Sequence, residues 1–126
     1  MEIDKIHEQL LTSVLSDLNS SSVDITASAI ISTDGLPIAH LLPANIDADR
    51  VGAMSAALLA LGNRTTQELA CGELEQVIVK GRLGYTLLIQ AGGANVLCLT
   101  ARESAKLGLI LLDARRAARS MVDITK

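Results

Sequence analysis

The chain has 126 residues, 49% of them hydrophobic, yet its only aromatic side chain is Tyr85, and its net charge is −3. The missing rings argue against a protein that stacks on bases or sugars, and the acidity argues against nucleic acid as a partner. The length fits one domain, 1–126, large enough to fold around its own core without a metal or a disulfide.

The mean hydropathy of +0.38 is high for a small protein, so some apolar surface is expected to be covered by another chain. Residues 1–101 hold 5 basic and 11 acidic side chains, whereas residues 102–126 hold 6 basic and 3 acidic. Arg115, Arg116 and Arg119 give the last segment a modest basic face, which reads as a solvated helix face or as a contact for an acidic partner. Cys71 and Cys98 lack CxxC spacing and read as reduced, packed thiols of a cytoplasmic protein. No basic-then-apolar leader opens the sequence.

Ile3, Ile6, Leu10, Val14 and Leu18 recur at helical spacing and predict an amphipathic helix over about 2–18, with His7, Leu11 and Leu15 flanking the stripe. Strands are expected at 25–31 and 36–42, joined through Asp34-Gly35 as a two-residue type I′ turn. Pro37, which has no backbone donor, belongs at a strand start or on the free side of a ladder. Asp47 and Asp49 fit the first turn of a second helix running to about Ala70, with Gly72 as its stop.

No charge interrupts Val51–Gly62, so that helix is expected to be covered on more than one side. Three strands follow, at 74–80, 83–90 and 95–100, with GRLG and AGGA between them. Their apolar runs suit a sheet held between two layers. The uncharged stretch 83–101 is long enough to suggest a membrane span, but Gln90, Gly92, Gly93 and Asn95 at its centre favour two strands over membrane insertion. A last helix is expected over 104–121, capped by Thr100 or Ser104, with Leu107, Ile110, Leu111, Ala114, Ala118 and Met121 inward. The predicted fold is α+β: a five-stranded antiparallel sheet with helices on both faces, in the order α-β-β-α-β-β-β-α.

Catalytic patterns are missing from the sequence. GRLGYT lacks the lysine and the helix of a phosphate loop, and GGAN lies between strands rather than before a helix. His7 and His40 are the only histidines and have no ligand spacing. Ser32, Asp34 and His40 flank one turn at a spacing that does not suit a hydrogen-bonded triad. Asp47/Asp49 is explained by a helix start and Glu73/Glu75 by a strand edge, with nothing to desolvate either pair for acid–base work. No catalytic, cofactor-binding or metal residue is assigned.

The element order, the first hairpin AIISTDGLPIAH, the alanine-rich helix, the segment LEQVIVKGRLGYTLLIQAGGANVLCLTA and the final ESAKLGLILLDARRAA together resemble the Roadblock/dynein light-chain family. The resemblance covers nearly the whole chain and is strongest to its short prokaryotic, MglB-like members. It implies a non-enzymatic dimeric regulator or scaffold of a small Ras-like GTPase, formed with itself or with a paralogous Roadblock protein. In the family the second helices pack together and the third strands pair. That carries a dimer role onto Met54, Leu58, Leu61, Thr65, Val77 and Val79, and a GTPase-facing role onto Arg50, Arg64, Gln67 and Glu68. An adaptor tethering a motor or signalling complex, and a small-ligand sensor, are the alternatives.

Overall fold

A computed structural model describes residues 5–125. Helix α1 (Lys5–Ser21) leads into strands β1 (Ile25–Ser32) and β2 (Pro37–Leu41), then helix α2 (Ala48–Glu68). Strands β3 (Gln76–Gly81), β4 (Gly84–Ala91) and β5 (Asn95–Arg102) precede helix α3 (Leu107–Thr125). The five strands form one antiparallel sheet in the order β2-β1-β5-β4-β3, the architecture expected from the sequence. The uncharged stretch 83–101 supplies β4 and β5, and no helix among the described residues is long and apolar enough to cross a membrane.

Alternation along each strand sends side chains to two separate cores. On one face, Ile30, Leu87, Leu97 and Leu99 meet Leu11, Leu15 and Leu18 of α1 and Ile110, Ala114 and Met121 of α3. On the other, Ala29, Ile31, Leu88, Val96 and Cys98 lie beneath α2, which contributes Leu59. β1, β4 and β5 are buried on both faces, as the apolar runs of β4 and β5 require. β3 departs from that expectation: Ile78 and Val79 are exposed, because β3 is an edge strand that neither helix layer fully reaches.

The inward stripe of α1 also differs from expectation. Leu11, Leu15 and Leu18 are the buried residues, Val14 is half-buried, and Ile6 (69% exposed) and Leu10 face out. Both series have helical spacing. The antiparallel contact with α3, marked by the Ser21 hydroxyl beside the Asp113 carboxylate, selects the flank carrying Leu11 and Leu15. Ile3 lies outside the described residues.

The β1–β2 connection is not a two-residue type I′ turn. The Gly35 N–H donates to the Ser32 carbonyl (2.9 Å) and the Ser32 N–H to the Leu36 carbonyl (2.8 Å), giving a three-residue loop with positive φ at Gly35 alone. The Ser32 hydroxyl accepts the Leu36 N–H at 3.0 Å and closes it. Pro37 does begin its strand, on a sheet edge, where its missing donor costs no ladder bond. Ile38 next to it is left out of register: Ile31 opposes Pro37 while Ile30 opposes Ala39.

β5 runs to Arg102, and a turn carrying the Ala105 N–H to the Arg102 carbonyl delays α3 to Leu107. Neither expected cap forms: the Thr100 hydroxyl pairs with that of Thr26, and Ser104 lies three residues before the helix. Leu107 is exposed, and Ala117 is the inward residue the spacing missed.

α2 starts as expected, with the Asp47 side chain accepting the Asp49 N–H at 2.9 Å. It ends two residues early. The residue past its cap is Ala70 at φ +56°, with the Cys71 N–H on the Thr66 carbonyl. A Cβ in the left-handed region costs about 1–2 kcal/mol. Ala70→Gly, which also loosens the unfolded chain, is therefore expected to stabilise by about 0.5 kcal/mol, raising the thermal midpoint by about 2 °C. Calorimetry at matched concentration checks it.

Candidate functional site

The most unusual surface lies along α2 and β3. Glycines set the path of the helix. Gly52 lies directly on the backbone of Gly35 in the β1–β2 loop, and Gly62 sits over Leu74 and Val77 at the start of β3. α2 therefore crosses the strands obliquely, from one hairpin loop to the opposite sheet edge. It covers the upper half of its face and leaves the lower half open.

The open half is an apolar trough of about 300 Å³, walled by Met54 and Leu58 of α2 and by Val79 of β3, with Leu88, Cys98 and Thr100 in its floor. Ser55 and Cys98, both buried, lie together beneath the helix, where α2 packs on the central strand β5. Burial pushes the Cys98 thiol above its ordinary pKa, and the Ser55 contact opposes that only in part. This thiol is packed in its protonated form rather than poised as a nucleophile. Cys71, by contrast, is exposed beyond the end of α2.

Beside the trough the outer face of α2 is apolar at its centre and charged at its ends. Met54 (58% exposed), Leu61 (63%) and Thr65 share that face with Arg50, Arg64 and Glu68, as the 3.6-residue period dictates. Val79 (45%) continues the apolar surface onto β3. The Arg64 guanidinium meets Glu68 at 2.9 Å, and Arg50 stands 4.0 Å from Asp47. These exposed pairs organise the helix surface and contribute little stability.

The residues assigned from the family resemblance thus fall into three groups. Met54, Leu58 and Val79 come together around the trough. Leu61 and Thr65 project from α2 on the same stripe as Arg50, Arg64 and Glu68, so the two assigned roles share one face. Val77 turns under α2 into the second core, and Gln67 lies on the other flank, in a polar recess with Glu73 and Gln90. The sequence reading left out Ile78, whose exposure follows from the edge position of β3.

Elsewhere among the described residues no reactive constellation is assembled. His40 opposes Ala29, three residues down the strand from Ser32 and so about 10 Å away. The Ser32 hydroxyl is already engaged by the loop backbone. Among the described residues no three His, Cys, Asp or Glu side chains could hold a metal ion. On α3, Arg115 donates to the Gln76 side chain at 3.1 Å and Arg116 stands 3.8 Å from Asp113, so part of its basic face is spent within the molecule.

Comparison with known proteins places this chain in a family. The Roadblock/LC7 domain matches residues 12–101. Two uncharacterized proteins of Methanocaldococcus jannaschii are each 38% identical, over 111 and 112 residues. These alignments cover 88% and 89% of this chain and 92% and 96% of theirs. Among solved structures, Myxococcus xanthus MglB superposes with a TM-score of 0.89 at 16% identity, covering 99% of this chain and 94% of that one. MglB of Thermus thermophilus gives 0.84 at 18%, covering 97% and 93%. Schizosaccharomyces pombe profilin gives 0.67 at 12%, covering 92% and 99%, which shows the wider fold. The match over most of its length and the close archaeal relatives make this chain a member of the Roadblock/LC7 domain family.

Proposed function

We propose that the protein is a non-catalytic dimeric regulator or scaffold that binds a small Ras-like GTPase in the cytoplasm. The observation that carries this reading is the continuous exposed apolar surface from Met54 and Leu61 on α2 to Val79 on β3, bordering the open trough. Side chains of that size exposed together mark a surface that another protein covers. The charged ends of the same helix face, Arg50 at one and Arg64 with Glu68 at the other, supply the polar rim of such an interface. The GTPase as further partner rests on the family resemblance.

Leu61 is the better probe of the dimer than Leu58, which is partly buried and packed against the second core. Light scattering is expected to give twice the 13.2 kDa chain mass for the wild type. Leu61→Glu is expected to give the single mass with an unchanged circular dichroism spectrum, because burying an unpaired carboxylate opposes association. With a small Ras-like GTPase encoded beside the protein, titration is expected to show binding that weakens about tenfold in Arg64→Glu while the dimer mass persists. Failure to bind such a GTPase or to alter its hydrolysis rate leaves the adaptor reading in its place. A wild-type monomer overturns the dimer.

A further inference from the structure

We infer that the trough beneath α2 is a binding site for a medium-chain carboxylate, its chain lying on the apolar floor and its head held by Thr86, Thr100 and Arg102. The inference goes beyond the dimeric reading and does not rest on it.

The sheet lays out a gradient from apolar to polar along the trough. Side chains of β5 alternate between the two cores: Leu97, Leu99 and Ala101 face α1 and α3, while Val96 and Cys98 face α2. Thr100 and Arg102 continue the second series, so both stand on the α2 side of the strand. Thr86 opposes Thr100 and shares its side of the sheet with Leu88. Beyond the apolar pair Leu88–Cys98 the floor thus becomes the hydroxyl pair Thr86–Thr100, and one step further it carries a guanidinium. Gly84, opposite Arg102, presents no side chain to crowd that last row.

The polar groups at this end are underused within the chain. The Thr100 hydroxyl meets that of Thr26 at 2.8 Å, and Thr86 makes no side-chain hydrogen bond among the described residues. Arg102 is exposed and has no ion pair among them. Asp24 and Glu103 flank it through the backbone, yet neither carboxylate pairs with it.

The chemistry of the trough selects its occupant. A concave, mostly apolar space with a few convergent polar groups is the usual form of a small-molecule site. Its volume of about 300 Å³ holds about ten non-hydrogen atoms, at the ~30 Å³ that a water molecule takes in the liquid. A chain of that size with one anionic head matches the gradient, because a carboxylate accepts hydrogen bonds from hydroxyls and pairs with a guanidinium. The α2 helix of a second copy matches it poorly. From Arg50 to Gln67 that helix carries no carboxylate, so it brings no counter-charge for Arg102. The apolar surface assigned to the dimer borders the trough rather than filling it.

Calorimetric titration of the whole chain with octanoate, a carboxylate of that size, tests the site. Saturable binding of one octanoate per chain is expected, tightening about fourfold for each methylene from hexanoate to octanoate. Octanol is expected to bind about tenfold more weakly, since it lacks the charge-assisted bonds. Arg102→Gln, an exposed substitution, is expected to weaken octanoate about tenfold and leave octanol unchanged. Thr86→Leu, which extends a side chain into the trough, is expected to abolish binding of both, with an unchanged circular dichroism spectrum. Equal affinity for octanoate and octanol, or an equal loss of both in Arg102→Gln, reduces the site to unspecific apolar contact and overturns the proposal. Undiminished binding in Thr86→Leu places the ligand elsewhere and overturns it too. No binding of octanoate at all overturns it and leaves the trough to another protein chain. Scattering on each variant reads the dimer separately, so either reading can fail alone.

Discussion

Gly52→Ala is expected to lower the stability of the protein by about 3 kcal/mol, at the upper end of overpacking costs. The thermal midpoint then falls by about 10 °C. Intrinsic helix propensity predicts the opposite sign, since alanine in a helix interior is favoured over glycine by about 1 kcal/mol. Packing decides against it. A Cβ at position 52 would overlap the Gly35 carbonyl oxygen and touch the Pro37 ring, and the nearest obstacle is backbone that cannot rotate away. The helix would have to lift from the β1–β2 loop, loosening Ser55 and Leu59 behind it. Gly108 is the internal comparison: a Cβ there meets nothing within 4 Å, so Gly108→Ala is expected to be neutral or stabilising. Thermal unfolding of both variants at one protein concentration, as mass action requires, separates packing from propensity. Equal shifts in the two would sink the account of how α2 is seated.

Leu15→Ala is expected to cost about 3 kcal/mol, against less than about 0.5 kcal/mol for Ile6→Ala. Both residues belong to apolar series on α1, and the pair asks which series faces the sheet. Leu15 is fully buried among the side chains of the larger core, so its truncation removes transfer energy and leaves a cavity. Ile6 is largely exposed, and truncation there removes mainly contact with water. Urea midpoints with unchanged slopes measure the difference. If Ile6→Ala proves as damaging as Leu15→Ala, the stripe read from Ile6, Leu10, Val14 and Leu18 is the structural one after all.

Those two variants also mark where sequence reading works and where it stops. Element order and sheet layering were legible because period 2 and period 3.6 are imprinted by burial itself, most clearly in β4, β5 and the second half of α3. The face of α1 was not, because Leu10 and Leu11 give two overlapping stripes and only the packing of α3 chooses between them. The Asp34-Gly35 turn was misread because the dipeptide suits more than one loop. The Ser32 hydroxyl bond and the flat approach to Gly52 select the three-residue form. The α2–β3 surface was legible as composition, in the uncharged run Val51–Gly62, but not as geometry. Which of those residues line a trough and which project depends on where two glycines let the helix rest.

The two borders of the sheet are unlike. β2 begins at a proline and carries the out-of-register Ile38, whereas β3 is regular from Gln76 to Gly81. Proline and bulges are the means by which strands refuse further pairing. A sheet with two receptive borders can add copies at both and lengthen into a fibre. With one receptive border, a single two-fold pairing consumes it and leaves only the refusing borders outside. On this chain such an addition would end at one partner, and an aliphatic strand can stand at the β3 border without the hazard of a lengthening fibre.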